Sequence, residues 1–321
     1  MADRSPEVAD GRHPTSLVGP RRPGGVGGLV ARAGFPWRAP AWPTGLERPV
    51  PRTLGVDYDT AWARHYGVRV ARAVALDNLA RPALHLLARP TVTGLDRLQG
   101  LGAPLIFVAN HASHLDTPLV LITLPPRLRH RTVVAAGADF FFDRTWKAHL
   151  WAGLISAIPV ERRRVSRRSM ELAAALLEDG WNLAIFPEGG RSPDGWAQPF
   201  RGGAAYLARR TGLPVVPIHL GGTGRVHGKV RPGFHPGRTT VTIGPALRAG
   251  EGEDARNLAN RIEAAVAALA DEATSDWWSA RRRAAAGTTP PLTGPEAGSW
   301  RRAWALGPDR RRSRDQPTWP L

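Results

Sequence analysis

The sequence predicts an α/β protein: a single domain with a mixed, largely parallel sheet flanked by helices, set between disordered tails rich in Pro, Gly and Arg. Three observations predict it. Short apolar runs recur through the middle of the chain, and segments with helical apolar spacing separate them. Both ends are so rich in Pro, Gly and Arg that they cannot bury a core.

Taken in order, residues 1–55 read as a tail, with runs such as PRRPGGVGG and PWRAPAWP. Residues 56–90 read as an N-terminal amphipathic helical segment. Trp62, Tyr66, Val70, Ala73, Ala80, Leu84 and Leu87 recur at helical spacing, and a break before Pro82 would make two helices. Residues 91–275 read as the α/β domain. Its strands are expected at Leu105–Asn110, Arg131–Ala136, Leu183–Phe186, VVPIHL from Val215 and TVTIG from Thr240. A helix is expected from Leu115, and another over Trp146–Ile158 with Trp146, Leu150, Trp151, Leu154, Ile155 and Ile158 on one stripe. Ser169 is placed to cap a helix over Glu171–Glu178 that Gly180 ends; Gly203–Arg210 is a helix closed by Gly212. Ala255–Ala270 turns Leu258, Ile262, Val266 and Leu269 inward. Residues 276–321 read as a basic tail, with arginine triplets at Arg281–Arg283 and Arg310–Arg312.

Composition narrows the class. The 321 residues contain no cysteine, which excludes disulfides, thiolate metal sites and a cysteine nucleophile. The formal net charge is +17, and all the basic residues but Lys147 and Lys229 are arginine. Such a balance points to an anionic partner, and codon bias toward arginine accounts for part of it. No nucleic-acid-binding pattern accompanies it, so nucleic acid is not the expected partner. The first twenty residues lack the apolar stretch of a secretory signal, and no uncharged apolar run reaches the ~18–20 residues that span a bilayer. Anionic lipid and a phosphorylated substrate remain as partners, and with a lipid substrate the expectation is a cytoplasmic protein held peripherally at an anionic membrane surface.

Two segments carry chemistry. The first is Asn110-His111-Ala112-Ser113-His114-Leu115-Asp116, which follows an apolar strand and opens a helix. Histidine titrates near neutral pH and can take a proton from a hydroxyl. A carboxylate five residues on, Asp116, can hold one ring nitrogen and leave the other as base. The same residues also suit a plain helix cap, with His111 structural. His111 and His114 stand alone as metal ligands, and no metal is expected. The second segment is Phe186-Pro187-Glu188-Gly189-Gly190-Arg191-Ser192, again after a strand. Its Pro and Gly residues force a turn that exposes backbone N–H groups, and Arg191 is a bidentate phosphate donor.

Together, N-H-x-S-x-x-D and then F-P-E-G, with Glu188 77 residues after His111, resemble the glycerolipid acyltransferases, the family typified by lysophosphatidic acid acyltransferase. The resemblance runs from about Pro104 to Leu220. GLISAIPVER, ending at Arg162, resembles a further block of that family, as do Val215-Val216-Pro217-Ile218 and Phe200-Arg201-Gly202. The resemblance implies that His111 is the base and Asp116 its orienter. It implies that Arg162, Glu188, Gly189 and Arg191 bind the acceptor, and that Val216 and Pro217 line a substrate pocket. It implies acyl-CoA or acyl-carrier protein as donor co-substrate, a lysophospholipid as acceptor, with 1-acyl-glycerol-3-phosphate leading, and no cofactor. Glycerol 3-phosphate or another polar lipid is the alternative acceptor, and a non-enzymatic membrane or nucleic-acid tether the alternative class. Gly190 stands where the family has threonine, and Pro159 where it commonly has phenylalanine.

Overall fold

The computed structural model describes residues 54–162, 167–229 and 233–294. After two short 3-10 turns, the chain enters α1 (Tyr66–Ala75), a π-helical turn over Leu76–Ala80 and α2 (Arg81–Ala88). There follow β1 (Pro90–Thr93), β2 (Ile106–Ala109), α3 (Asp116–Thr123), α4 (Pro126–Arg129), β3 (Thr132–Gly137), α5 (Ala138–Phe141), α6 (Thr145–Ile155) and β4 (Ala157–Val160). The rest comprises α7 (Arg167–Glu178), β5 (Asn182–Ile185), α8 (Gly203–Thr211), β6 (Val215–Gly221), α9 (Thr223–His227), β7 (Thr239–Ile243), α10 (Ala255–Thr274) and α11 (Trp277–Ala285). Among the described residues no helix is long and apolar enough to cross a membrane.

The seven strands form one sheet in the order β1-β7-β6-β2-β5-β3-β4. All neighbours are parallel except β6 and β7, so the sheet is mixed and largely parallel. Its central strands are apolar on both faces, as a strand covered on both sides requires. Phe107, Ala109, Val216, Ile218 and Leu220 pack with Val120 and Leu121 of α3 on one face. Ile106, Val108, Leu183 and Val215 pack against α7, α8 and α10 on the other. Truncating fully buried Phe107 to alanine would cost about 3–5 kcal/mol.

The strand order fixes where a site can form. Beyond β2 the chain passes to the α3 face, whereas beyond β5 it passes to α8 on the opposite face. Two adjacent parallel strands whose continuations part to opposite faces leave a crevice at their carboxyl ends.

Several local expectations are corrected. No break occurs before Pro82, because proline is tolerated in the first turn of α2 and the preceding residues widen into the π turn. The inward stripe of α1 is not the one its spacing suggests: Tyr66 and Val70 are exposed and Arg72 is buried. Arg72 donates to the carbonyls of Gly153 at 2.7 Å and Ala152 at 3.3 Å, in the last turn of α6, where a cation suits the helix dipole. Helix α6 stops at Ile155 with Ser156 in the left-handed region (φ 55°), so Ile158 belongs to β4 and leaves the proposed stripe. Ser169 does not cap a helix. It lies inside α7, buried, and its hydroxyl accepts from the Glu161 N–H at 3.2 Å. The tail expected from residue 276 begins instead with α11, capped by Asp276 and tied to α10 by the bidentate Arg283–Asp271 pair at 2.6 Å. The tail expected over 1–55 lies outside the described residues apart from its last two, as does 295–321.

Candidate active site

The loop after β2 is organised by one carboxylate. Asp116, the first residue of α3, is fully buried. Its Oδ2 accepts from the backbone N–H of Ala112 and of Ser113, each at 2.7 Å, and from His111 Nδ1 at 2.9 Å. An acceptor-only carboxylate on Nδ1 places the ring proton there and leaves Nε2 with its lone pair. The imidazole stacks on Phe186, centroids 4.3 Å apart, which fixes its plane. Asn110 sets the loop's start: its amide donates to Leu220 O at 3.0 Å and accepts from Leu220 N at 2.7 Å.

The loop after β5 is joined to the first. Glu188 Oε1 accepts from the His111 N–H at 2.6 Å, and Oε2 accepts from the Gln198 N–H at 2.8 Å. Ser192 N–H donates back to His111 O at 2.7 Å. Burial pushes the Glu188 carboxyl up to about 8, and its two N–H donors pull the other way. Gly189 has φ +70°, a conformation other residues rarely adopt, and the Arg201 guanidinium lies 3.1 Å from where a Cβ would stand.

The two loops close one end of a cavity of about 830 Å³. His111, Gly189, Gly190, Arg162, Arg201 and His227 bring polar groups to it. The remainder is apolar, with Leu76, Leu79, Phe141, Trp151, Leu154 and Ile155 among its walls. Arg162 is held by Asp139 through two bonds, Nε to Oδ1 at 2.8 Å and Nη2 to Oδ2 at 2.7 Å, and Arg201 donates to Arg162 O. His114 stacks on Phe140 at the same mouth. Burial, then the charge of Arg191 nearby, pushes its imidazole down to about 4.

The structure brings His111, Asp116, Arg162, Glu188 and Gly189 together, with different orientations from those expected. Glu188 is buried with both oxygens on backbone amides, so it shapes the loops rather than facing an acceptor. Arg191 flanks the site without lining the cavity, and Arg201 takes the lining position. Val216 and Pro217 do not line it either: both are buried in the middle of β6, where alternation along the strand sends side chains into the two cores. Pro159 is buried within β4 and stands off the cavity, whereas Gly190 lines it, and a Cβ there would meet only Gln198 Nε2, at an ordinary contact of 4.0 Å. The N–H of Gly189 is taken by Phe186 O at 3.1 Å and is not free to meet a developing oxyanion. The aromatic wall of Phe141, Trp151, His227 and Phe234 carried no motif; only the Trp151 stripe hinted at it.

The His111–Asp116 pair at the end of β2 is thus joined to the arginine-bearing turn after β5 on a mixed α/β sheet. Residues 89–221 match the family model described as Acyltransferase. The chain is 31% identical over 162 residues to a chloroplastic 1-acyl-sn-glycerol-3-phosphate acyltransferase from Brassica napus, covering 45% of this chain and 43% of that protein. It is 29% identical over 182 residues to 1-acyl-sn-glycerol-3-phosphate acyltransferase alpha from Bos taurus, covering 54% of this chain and 60% of that one. The chain thus spans less than two thirds of the length of either relative. Among solved structures, the 1-acyl-sn-glycerophosphate (LPA) acyltransferase PlsC from Thermotoga maritima shares the fold. Its TM-score is 0.52 at 24% identity, over 68% of this chain and 84% of that one.

Proposed function

We propose that this protein transfers a fatty acyl group from acyl-CoA or an acyl-carrier protein to the free hydroxyl of a lysophospholipid, with 1-acyl-glycerol-3-phosphate as leading acceptor. The observation that carries this reading is His111, oriented by Asp116 at 2.9 Å, in the lining of a largely apolar cavity. An acyl chain needs the apolar walls and a phosphate needs cations, and Arg162 and Arg201 stand at the same end as the base. The relatives named for 1-acyl-sn-glycerol-3-phosphate acylation support the choice of acceptor.

The step is direct transfer. His111 Nε2 takes the proton of the acceptor hydroxyl as its oxygen attacks the thioester carbonyl carbon. The C–O bond forms, the C–S bond breaks, and the imidazolium returns the proton to the departing thiolate. Asp116 stabilises the transient imidazolium and keeps the ring proton on Nδ1. The apolar side chains on the outside of α1 and α6 support work at a bilayer surface. Tyr66, Val70, Val74, Trp146, Leu150 and Leu154 are all exposed there.

The test is acyl transfer in mixed micelles with acyl-CoA or acyl-carrier protein and a panel of lysophospholipids plus glycerol 3-phosphate, comparing the protein with His111→Ala. Transfer to 1-acyl-glycerol-3-phosphate that the variant loses is the expected result. Transfer to a different acceptor alone would replace the leading substrate. No transfer with either donor would remove the enzymatic reading.

A further inference from the structure

The C-terminal helix α11 has two unlike sides. Ala280 is buried, and Arg283 turns inward to Asp271 and to Ser275 Oγ at 2.8 Å. At helical spacing, Trp278, Arg281, Arg282 and Ala285 share the opposite side, and Trp277 flanks it. That side is open: Trp277 is 50% and Trp278 64% exposed. The Arg281 guanidinium lies 5.7 Å from the centre of the Trp277 ring. Exposed tryptophans interleaved with arginines on one helical face suit the boundary between headgroups and acyl chains. The residues that follow repeat this chemistry. From 295 onward the chain carries Trp300, Trp304 and Trp319, with six arginines against Glu296, Asp309 and Asp315.

The helix is also wired to the loop after β5. The chain leaving it returns so that Leu292 O accepts from the Ala197 N–H at 3.2 Å, and Gly294 packs so closely on the Trp196 ring that a Cβ there would overlap it. The next residue, Gln198, donates its backbone N–H to Glu188 and its side-chain amide to Arg191 O at 3.2 Å. One short path therefore runs from the open face of α11 to the loop that carries Gly189 and Arg201.

We propose that the Trp277–Trp278–Arg281–Arg282 face of α11 docks on an anionic bilayer, and that through the Leu292–Gly294 segment this docking steadies the loop after β5 toward an acceptor lying in that bilayer. The occupant is a lipid surface because the face offers flat amphipathic rings beside guanidinium groups, and the charge of the following chain has the same sign. The second half of the proposal rests on the acyl-transfer reading, and the first does not.

The experiment uses the full chain with vesicles of phosphatidylcholine alone or mixed with phosphatidylglycerol. It compares the protein with Arg281→Gln/Arg282→Gln, Trp277→Ser/Trp278→Ser and Arg281→Lys/Arg282→Lys, with circular dichroism as the check on folding. Flotation is expected to show binding to the anionic vesicles weakened about tenfold by the first two variants and retained by the lysine pair, since the lipid charge requires a cation and not a fork. The first two variants are also expected to raise the KM for a vesicle-borne lysophospholipid and to leave that for a short-chain, water-soluble one unchanged. Unchanged vesicle binding, or a change in sedimentation mass in place of vesicle binding, would overturn the docking and assign the face to self-association. Weakened binding with unchanged KM would overturn the link to the loop. Loss of all acyl transfer by the unsubstituted protein would strike the enzymatic reading and leave the flotation result standing.

Discussion

The loops that follow β2 and β5 lie against each other, yet they are held by different kinds of force. The first has a local centre, three donors within five residues converging on one oxygen of Asp116, beside its bonds to Leu220 and Glu188. The second takes its shape from distant partners. Glu188 reaches the His111 amide, Phe200 N–H donates to Glu263 Oε2 at 2.9 Å, and Ala197 is tied to Leu292. If the proposed roles hold, the difference separates chemistry from recognition: the loop with the local carboxylate centre would keep a reactive geometry while its neighbour, shaped by more distant partners, changes with the acceptor.

Substitutions test that division. The largest effect is expected from His111→Ala, which removes the proposed base: turnover should fall by about 10²–10⁴-fold in a thioester transfer assay, with acceptor KM little changed. Asp116→Asn comes next. Its carbonyl oxygen can still take the three donors but lacks the charge that would stabilise an imidazolium, and turnover is expected to fall by about 10²-fold with the same KM. Arg201→Gln belongs to the other loop and should show the opposite split, with acceptor KM up roughly tenfold or more and turnover nearly kept, as for a lost charged hydrogen bond of about 1.5–3 kcal/mol. If Arg201→Gln instead lowered turnover alone, the two loops would not divide the work in this way.

The smallest effect sharpens the comparison at the bond between the loops. Glu188→Gln can satisfy one of the two amides and loses the other, for about 1–3 kcal/mol of stability. The pH dependence gives the sign. The folded-state value, about 8, is above the unfolded value near 4.5, so the carboxyl's contribution is fully present below pH 4.5 and is lost as pH rises toward 8. His114 acts oppositely: with a folded value near 4 against 6.5 unfolded, its contribution is present above pH 6.5 and lost as pH falls toward 4. Denaturation midpoints across pH 4–8 should therefore fall with pH for the native protein relative to Glu188→Gln, and subtracting the two curves cancels His114.

The same division explains what the sequence could reveal. The His111–Asp116 pairing is legible because both partners lie in one turn, so spacing alone determines reach. The sheet's central strands are legible because burial on both faces makes them continuous apolar runs. The role of Glu188 was not legible, since its partners are main-chain amides that only the β2–β5 pairing brings near. Strands β1 and β4 were missed because each has four residues and carries a proline, which reads as a break. The orientation of α1 depends on Arg72, whose burial is decided by the carbonyls at the end of α6 and not by anything in its own periodicity. Helix α11 was hidden in an Arg- and Ala-rich stretch whose charge masks a single buried contact side.

Gly137 closes β3 directly beneath the Arg162 side chain, and a Cβ built there would fall on the guanidinium's Nε and Cδ. The two positions are therefore tied sterically: arginine at 162 in this pose requires glycine at 137, and a larger residue at 137 would have to displace the guanidinium from the cavity without any change at the histidine.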